Sequence, residues 1–336
     1  MKPEDWGPPL WAELHRWALA ADLATARAWL NKFWTRVPCL KCKVGWFKIL
    51  AENPPDFRSN DALFAWTVKI HNAVNRHLNK PEFTLSSARL RWANMPSLDK
   101  ILVCTVLQYD RPPDGARLML ESARYHGIDV KIIGEGEKFE NLFRSKIVRL
   151  YNAVGNLTGF DFILFVDAAD TLFATGLGEI LTKFATTGAE FLIAGEHFCY
   201  PFARRYEQRV PEPTKRFRFL NSGCYMATFP AWKKTMETLL NLLPDPYSEG
   251  GSTIENEDQA RFYVAWMEGK INLTIDTQCQ LFQCLNGTDG RWSWMSNDIL
   301  WAKRPINKIT NQAPCLFHCN GGEKWRMREI WEMLRT

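Results

Sequence analysis

The chain has 336 residues, of which 46% are hydrophobic, and this length and composition suffice for two domains with well-packed cores. The formal net charge of +5 is unevenly spread, since residues 1–98 hold 14 Lys and Arg against 8 Asp and Glu and the remainder has a balance of −1. No apolar segment approaches the ~20 residues that a membrane helix needs, which excludes an integral membrane protein built from such helices.

The N-terminal sequence and the cysteines indicate a soluble protein of the cytoplasm. MKPEDWGPPLW lacks the basic and then apolar pattern of a signal peptide. Nine cysteines form an odd set, and several lie in strand-like apolar runs, as Cys104 does in ILVCTV. Such cysteines are more typical of a reduced core than of a disulfide framework.

Residues 1–92 are predicted to be helical. Apolar residues recur at helical spacing in LWAELHRWALAA, ATARAWLNKFW and DALFAWTVKIHNAVNRHL, and the breakers PPL, NPPDF and NKPEF adjoin these stretches. A polar connector, SSARLRWANMPSLDK, follows. We therefore predict two domains, at residues 1–95 and 99–336, of which the first is an all-α bundle.

The cysteine pair Cys39 and Cys42 lies at the predicted start of a helix. The helix N-terminus lowers the pKa of the first thiol, and a C-x-x-C pair closes a small disulfide ring. A C-x-x-C pair also supplies half of the ligands in many zinc sites. The helical region holds no second cysteine pair, which argues against zinc. HNAVN places His71 and Asn75 one helical turn apart on one face, where they either bind a ligand or face water.

The stretches WGPPLWAELHRWA, VPCLKC and NPPDFRSNDALFAWTVKIHNAVNRHLNKPEF resemble the Erv/ALR family of FAD-linked sulfhydryl oxidases over nearly all of residues 5–92. The resemblance implies a flavoprotein that oxidises thiols through Cys39 and Cys42 and that forms homodimers. Its flavin-binding positions match Trp11, His15, His71, Asn72, Asn75 and Lys80. The basic charge balance here suits the pyrophosphate of FAD or a nucleic acid, and it is equally typical of a solvated basic face.

Two features depart from the oxidase family. Many members carry a structural disulfide that begins just after K-P-x-F, where this chain has TLSSARLRW, and they use a distal shuttle pair of cysteines that is not evident here. Either thiols deliver electrons directly to Cys39–Cys42, or the module is a scaffold for binding or dimerisation.

From Lys100 onward, strand and helix patterns alternate. Strands are predicted in KILVCTVLQ, IDVKIIGEG, FDFILFVDAAD and EFLIAGE, and helices in GARLMLESARYHG, FRSKIVRLYNAVGNL and LGEILTKFATTG. This alternation predicts βαβ units and a mostly parallel, Rossmann-like α/β domain that binds ligands at the carboxyl ends of its strands.

The apolar run FDFILFV ends at Asp167, and Asp170 follows three positions later. Two carboxylates at the exit of a core strand repel each other and cost stability unless a positive group lies between them. Such carboxylates are ligands for a hard divalent cation, which neutralises the diphosphate leaving group of a nucleotide-sugar. By itself, D-x-x-D is at least as typical of an N-cap and turn before a helix.

Residues 100–325 resemble the glycosyltransferase domain of the procollagen lysyl hydroxylases. The most specific motifs, in the family's order, are RFLNSG at 218–223, Asp258–Gln259, LFQCLNG at 281–287 and HCNGG at 318–322. The resemblance implies a GT-A-type, retaining glycosyltransferase that moves a hexose from a UDP-sugar to a hydroxyl group. It also implies that Asp167, Asp170 and His318 hold Mn²⁺ or another divalent metal.

The same resemblance assigns the donor pocket. The nucleotide positions match Thr105, Val106 and Lys146, and the sugar positions match Asn221, Ser222, Gly223, Asn286 and Gly287. Asp258 is the expected sugar or acceptor contact and, with Asn221, a candidate catalytic residue. The family's D-x-Y-D is DAAD here, and Tyr200 stands where a tryptophan is typical. Both departures are compatible with a metal, but they leave the donor base and sugar open.

The acceptor is also open. The resemblance implies hydroxylysine or galactosyl-hydroxylysine, but no hydroxylase domain is recognised, and the length is that of a compact viral or bacterial enzyme. Hydroxylated nucleic-acid bases are therefore an alternative acceptor. For the whole chain, one alternative is a transferase on a helical scaffold. Another is a sulfhydryl oxidase whose α/β domain only binds sugar nucleotides.

Overall fold

The computed structural model describes residues 3–37, 39–88, 92, 98–108, 113–287, 298–302 and 304–335. The chain divides into two compact units, Met1–Pro96 and Ser97–Thr336. Among the described residues, no helix combines the length and the apolar character that a membrane span requires.

The first unit is helical, as its periodicity predicts. Its described α-helices are α1 (Pro3–Ala20), α2 (Ala26–Phe33), α3 (Leu40–Glu52), α4 (Asn60–His77) and α5 (Leu85–Ala88). Ser59 caps α4, because its hydroxyl accepts the backbone N–H of Ala62. Helices α1 and α4 pack along each other and bury Leu14, Leu63 and Phe64.

The second unit alternates strands with helices. Its described strands are β1 (Ile101–Val106), β2 (Lys131–Ile133), β3 (Phe162–Val166), β4 (Thr171–Phe173), β5 (Phe191–Glu196), β6 (Phe219–Thr228), β7 (Thr274–Asp276), β8 (Phe282–Cys284), β9 (Ile299–Leu300), β10 (Ile306–Asn307) and β11 (Leu316–His318). Its described α-helices are α6 (Asp114–Tyr125), α7 (Leu150–Val154), α8 (Leu177–Thr187), α9 (Ala203–Tyr206), α10 (Phe229–Leu240), α11 (Asp258–Met267) and α12 (Met327–Arg335). A π-helical segment, Phe143–Arg149, leads directly into α7.

The main sheet has six strands in the order β2-β1-β3-β6-β5-β7. The pairs β1–β2, β1–β3 and β5–β7 are parallel, whereas β6 runs antiparallel to both β3 and β5. The predicted fold class, a helical bundle followed by a Rossmann-like α/β domain, is confirmed. Because β6 runs in the opposite direction, it begins at the edge where β3 and β5 end, and it brings Asn221 to that edge.

A smaller sheet, in the order β4-β11-β8, completes this edge. Strand β11 pairs antiparallel with β4 and parallel with β8, so His318 lies opposite both Thr171 and Cys284. The main core contains Phe165, which stacks on Tyr225 with ring centroids 4.9 Å apart. Burying side chains of this size supplies about 1.5–3 kcal/mol each and holds the sheets rigidly below the edge.

Candidate active site

Three potential metal ligands converge at this edge. Asp167 follows β3 directly, Asp170 precedes β4 directly, and His318 ends β11. Since β4 and β11 pair with Thr171 opposite His318, the register places Asp170 beside the imidazole. The His318 Nε2 atom is 3.3 Å from Asp170 Oδ1 and 3.7 Å from Asp167 Oδ2. One ligand atom from each residue lies within 4.8 Å of the other two.

The surroundings of His318 Nε2 fit a cation. This nitrogen is buried, and the polar groups nearest to it are the two carboxylates. Gly223 keeps the space beside it open, since a Cβ there would lie 2.7 Å from Nε2 and 2.9 Å from Asp167 Oδ2. Two carboxylates and one imidazole form a donor set that suits Mn²⁺ and similar divalent ions.

Two lysine side chains of the protein itself lie close enough to neutralise these carboxylates. Lys146 Nζ is 2.9 Å from Asp167 Oδ2 and 3.7 Å from Asp258 Oδ2. Lys324 Nζ is 3.0 Å from Asp170 Oδ2. The Lys146 side chain is 16% exposed, whereas that of Lys324 is 57% exposed. Lys146 is therefore enclosed by the site, whereas Lys324 reaches Asp170 from the exposed side.

The ionisation of the cluster reflects both burial and charge pairing. Burial raises the pKa of Asp167, and the neighbouring Lys146 only partly opposes this effect. Burial acts in the same direction on Asp170, but attraction by His318 and Lys324 outweighs it and holds the Asp170 pKa below its usual value. Burial lowers the pKa of His318, but the charge and hydrogen bond of Asp170 reverse this shift, so the His318 pKa is raised.

Glu196, at the end of β5, is a buried carboxylate that three side-chain amides surround. Gln259 Nε2 donates to Glu196 Oε1 at 3.0 Å, and Asn320 Nδ2 donates to Oε2 at 2.9 Å. Asn221 supplies a further hydrogen bond. Burial raises the pKa of Glu196 to about 7, although these hydrogen bonds lower it. Glu196 was not among the predicted site residues.

The same three amides also hold the predicted sugar pocket. Their oxygens, in the order Asn221, Gln259 and Asn320, accept the backbone N–H groups of Gly223 (2.9 Å), Ser222 (2.9 Å) and Asn286 (3.1 Å). Glu196 is therefore the hub of a network that joins β5, β6, α11 and the turns after β8 and β11.

The acidic pair Glu257 and Asp258 lies at the start of α11. Asp258 is buried, and its Oδ1 has no hydrogen-bond partner in the described structure. The pKa of Glu257 is raised to about 8. Burial is the largest cause, and the adjacent charge of Asp258 is the second. Asp258 reaches the ligand cluster through Lys146, whose ammonium group lies near both Asp258 and Asp167.

The residues predicted to contact the nucleotide and the glycine of the predicted turn make different contacts in the structure. The Thr105 hydroxyl donates to the carbonyl oxygen of Val166 at 2.6 Å and is buried in the sheet, so its hydrogen is already used within the protein. Val106 is half-buried at the end of β1. Gly287 has a φ of +78°, and a Cβ there would meet the Phe198 ring at 2.5 Å. This turn therefore requires glycine for packing.

In the first unit, Cys39 and Cys42 form a disulfide with a Cα–Cα distance of 5.1 Å. Cys39 caps α3, since its sulfur accepts the backbone N–H of Cys42 at 3.2 Å. Trp46, one helical turn beyond Cys42, lies 4.7 Å from Trp11 between ring centroids. Helix α3 therefore carries both the disulfide and, one turn later, a member of an aromatic cluster.

The predicted flavin residues Trp11, His15 and His71 meet in that cluster. Trp11 stacks on His71 with centroids 3.9 Å apart and an interplanar angle of 3°. His15 Nε2 is 2.9 Å from His71 Nδ1, and its Nδ1 is 2.7 Å from Thr67 Oγ1. These residue types are able to stack on a planar heteroaromatic ring. In this structure Trp11 and His71 stack on each other, and both ring nitrogens of His15 have protein partners.

The other residues predicted to bind the flavin either form hydrogen bonds with the backbone or are exposed to solvent. Asn72 exchanges two hydrogen bonds with the backbone of Phe83, at 2.7 and 2.9 Å. Asn75 donates to the carbonyl oxygen of Pro81 at 3.0 Å, and Lys80 is exposed. The two asparagines thus attach residues 81–83 to α4, whereas His15 and His71 lie within the aromatic cluster.

Two family models match the chain. Residues 97–334 match the PLOD GT domain, and residues 9–93 match the Erv1 / Alr family. The chain belongs to the PLOD GT domain family. Both predicted resemblances are confirmed, and the chain joins an Erv1/Alr domain to a PLOD GT domain.

Curated relatives share the PLOD GT region. Procollagen-lysine,2-oxoglutarate 5-dioxygenase of Drosophila melanogaster is 29% identical over 253 residues, which cover 67% of this chain and 31% of that protein. The multifunctional procollagen lysine hydroxylase and glycosyltransferase LH3 of Rattus norvegicus is 27% identical over 271 residues, 74% of this chain and 33% of that protein. The chain thus spans about a third of the length of these relatives.

A solved structure resembles the other end of the chain. The FAD binding domain of Erv1 from Saccharomyces cerevisiae is 30% identical, covers 29% of this chain and 99% of that chain, and has a TM-score of 0.27.

Sequence reasoning missed two residues of the PLOD GT site, Glu196 and Lys324. Lys324 follows the HCNGG motif closely, and a lysine next to a glycine turn that carries a candidate metal ligand was a usable signal. Glu196 gave no such signal, because a glutamate at the end of a strand is ordinary.

Proposed function

We propose that the PLOD GT domain is a divalent-metal-dependent transferase that moves a hexose from a UDP-sugar to a hydroxyl acceptor. The observation that carries this proposal is the convergence of His318 Nε2 with the carboxylates of Asp167 and Asp170 within 4.8 Å, beside the space that Gly223 leaves open. A bound divalent cation would neutralise the diphosphate leaving group.

The lysines have distinct roles in this proposal. Lys146, which is held between Asp167 and Asp258, keeps the buried carboxylates compatible with folding and adds positive charge next to the diphosphate. Lys324 is more exposed and exchanges Asp170 for a phosphate oxygen when the donor binds. Phosphate oxygens and carboxylates are equivalent partners for an ammonium group.

The sugar pocket is formed by Asn221, Ser222 and Gly223 on β6, together with the turn at Asn286 and Gly287. The Glu196 network fixes their backbone, so the pocket is rigid before the hexose binds. Asp258 Oδ1 is a buried acceptor without a partner, and a hydroxyl of the hexose or the acceptor would satisfy it. Asp258 and Asn221 are the proposed catalytic contacts of a retaining transfer.

For the acceptor we propose a hydroxylysine side chain in a protein, because the relatives named above are procollagen lysine hydroxylases and glycosyltransferases. A hydroxylated nucleobase is the second candidate, and the basic charge balance of residues 1–98 favours it. Mass spectrometry of protein and DNA from cells that express the chain separates the two.

The Erv1/Alr domain is proposed to bind FAD and to pass electrons from thiols through Cys39 and Cys42, and to form a homodimer. The position of Trp46 one helical turn beyond Cys42, and its ring contact with Trp11, which stacks on His71, support this role. The alternatives are a helical module that only binds or dimerises, and an α/β domain that only binds sugar nucleotides.

A single preparation tests these readings. Purified chain is screened against UDP-hexoses with Mn²⁺, with and without hydroxylysine peptides, and Asp167→Asn is the inactive control. Turnover that requires Mn²⁺ and is lost in the variant supports the transferase, and no turnover with any donor refutes it. A yellow preparation that consumes oxygen with dithiothreitol supports the oxidase, whereas a colourless and inert one supports a scaffold.

A further inference from the structure

The second imidazole nitrogen of His318 has a partner that no motif suggested. His318 Nδ1 is 3.8 Å from the sulfur of Cys284, and both residues are buried. The contact is set by the parallel pairing of β11 with β8, in which His318 lies directly opposite Cys284. The two nitrogens of the ring therefore have different surroundings, with carboxylates around Nε2 and one sulfur at Nδ1.

This arrangement determines which nitrogen carries the proton when a metal binds. A neutral imidazole that gives its Nε2 lone pair to a cation holds its hydrogen on Nδ1, and that hydrogen needs an acceptor. The Cys284 sulfur is the polarisable group that the strand register places at this hydrogen. A thiol sulfur is a weak acceptor, and the 3.8 Å separation is within the reach of a hydrogen bond to sulfur.

We propose that Cys284 is a positioning residue of the metal site, whose sulfur accepts the Nδ1–H of His318 and so leaves Nε2 available for a divalent cation. This inference rests on the proposed metal dependence. The common acceptors for a metal-binding histidine are carboxylates, backbone carbonyls and water. A thiol in this place holds the ring more weakly and makes the metal affinity depend on a single sulfur atom.

Cys284 also has a simpler reading as a small core side chain, and three substitutions separate the two readings. Serine keeps an acceptor and is smaller and more polar. Valine fills the volume but removes the acceptor, and alanine removes both. If Cys284 positions His318, serine retains metal binding and valine loses it. If Cys284 only fills space, valine retains binding and serine is the more disruptive change.

The test is titration of the full chain with Mn²⁺ alone, by calorimetry, at neutral pH. We expect the Kd for Mn²⁺ to rise about tenfold in Cys284→Val and Cys284→Ala, the lower end of the usual range for such partners, and to stay within about twofold in Cys284→Ser. Cys315 is the matched control. It is a buried thiol at the start of the same strand region, its sulfur faces the carbonyl oxygen of Gln280, and Cys315→Val should leave the Kd unchanged.

The outcomes also separate this inference from the proposed transfer reaction. Equal affinities in all Cys284 variants, or a serine variant that binds worse than the valine variant, overturn the role of Cys284 while Mn²⁺ binding itself stands. The expected order of affinities in a chain that turns over no UDP-hexose supports Cys284 and refutes the transferase. A wild-type chain that binds no Mn²⁺ overturns both.

Discussion

Gly223 lies so close to His318 that a Cβ atom at position 223 would be 2.2 Å from the imidazole Cε1 and 2.7 Å from Nε2. Real contacts to a Cβ do not approach this closely, so one of the two elements would have to move. Strand β6 and the end of β11 are both packed in the core, and neither can shift without loosening it. The absence of a side chain at position 223 is thus what allows β6 to form one wall of the ligand cluster.

The first prediction concerns this approach. We expect Gly223→Ala to weaken Mn²⁺ binding at least tenfold and to destabilise the fold by about 1–3 kcal/mol, because the methyl group overpacks the space beside His318. Calorimetry with Mn²⁺ and chemical unfolding measure the two effects. Gly178→Ala, in α8, is the control, since a Cβ there meets nothing within 4 Å and the change should be neutral or stabilising. Unchanged Mn²⁺ affinity in Gly223→Ala would show that this wall does not border the ion.

The second prediction concerns the Glu196 hub. We expect Glu196→Gln to lower transferase activity at least tenfold, with a higher KM for the donor. The new amide presents an N–H₂ group to another N–H₂ group, and neither Gln259 nor Asn320 can turn its amide around, because the oxygen of each already accepts a backbone N–H. Unchanged kinetics in this variant would show that Glu196 does not stabilise the sugar pocket.

The third prediction follows from the raised pKa of Glu196. The folded state holds this proton up to about pH 7, whereas the unfolded chain releases it near pH 4.5. The folded state therefore binds more protons in this window, and its free energy of unfolding falls as the pH rises from about 4.5 to 7, by about 3 kcal/mol for this group.

Denaturant unfolding without metal, compared between the wild type and Glu196→Gln, isolates this contribution. Glu257, whose pKa is raised to about 8, contributes a similar slope to both proteins and cancels in the difference. Parallel pH curves for the two proteins would mean that Glu196 titrates at its ordinary pKa.

The sequence predicted the site residues whose chemical role is visible within one short stretch of the chain. Asp167 and Asp170 stood out because charges end an apolar run, and the run itself is β3. The Glu196 network escaped prediction because its members are far apart in the chain, with Asn320 lying 124 residues from Glu196. Only the meeting of β5, β6 and the turn after β11 makes Glu196 a hub. Likewise, the run FLNSGCYMAT is buried along nearly its full length, and burial alone does not reveal that β6 runs antiparallel.

The last prediction separates the two lysines. Lys146→Ala leaves Asp167 and Asp258 buried without their shared cation, and we expect a loss of about 3 kcal/mol in the free energy of unfolding. Lys324→Ala removes a more exposed partner of Asp170, and we expect a loss below about 1 kcal/mol.

Saturating Mn²⁺ should restore much of the stability of Lys146→Ala, because the ion supplies the missing positive charge. In turnover assays, Lys324→Ala should raise the KM for the UDP-hexose about tenfold or more, because a hydrogen bond to a charged group contributes about 1.5–3 kcal/mol. Equal stability losses in the two variants, or a Lys146→Ala protein that Mn²⁺ does not stabilise, would mean that the lysines and the ion do not share one cluster of charge.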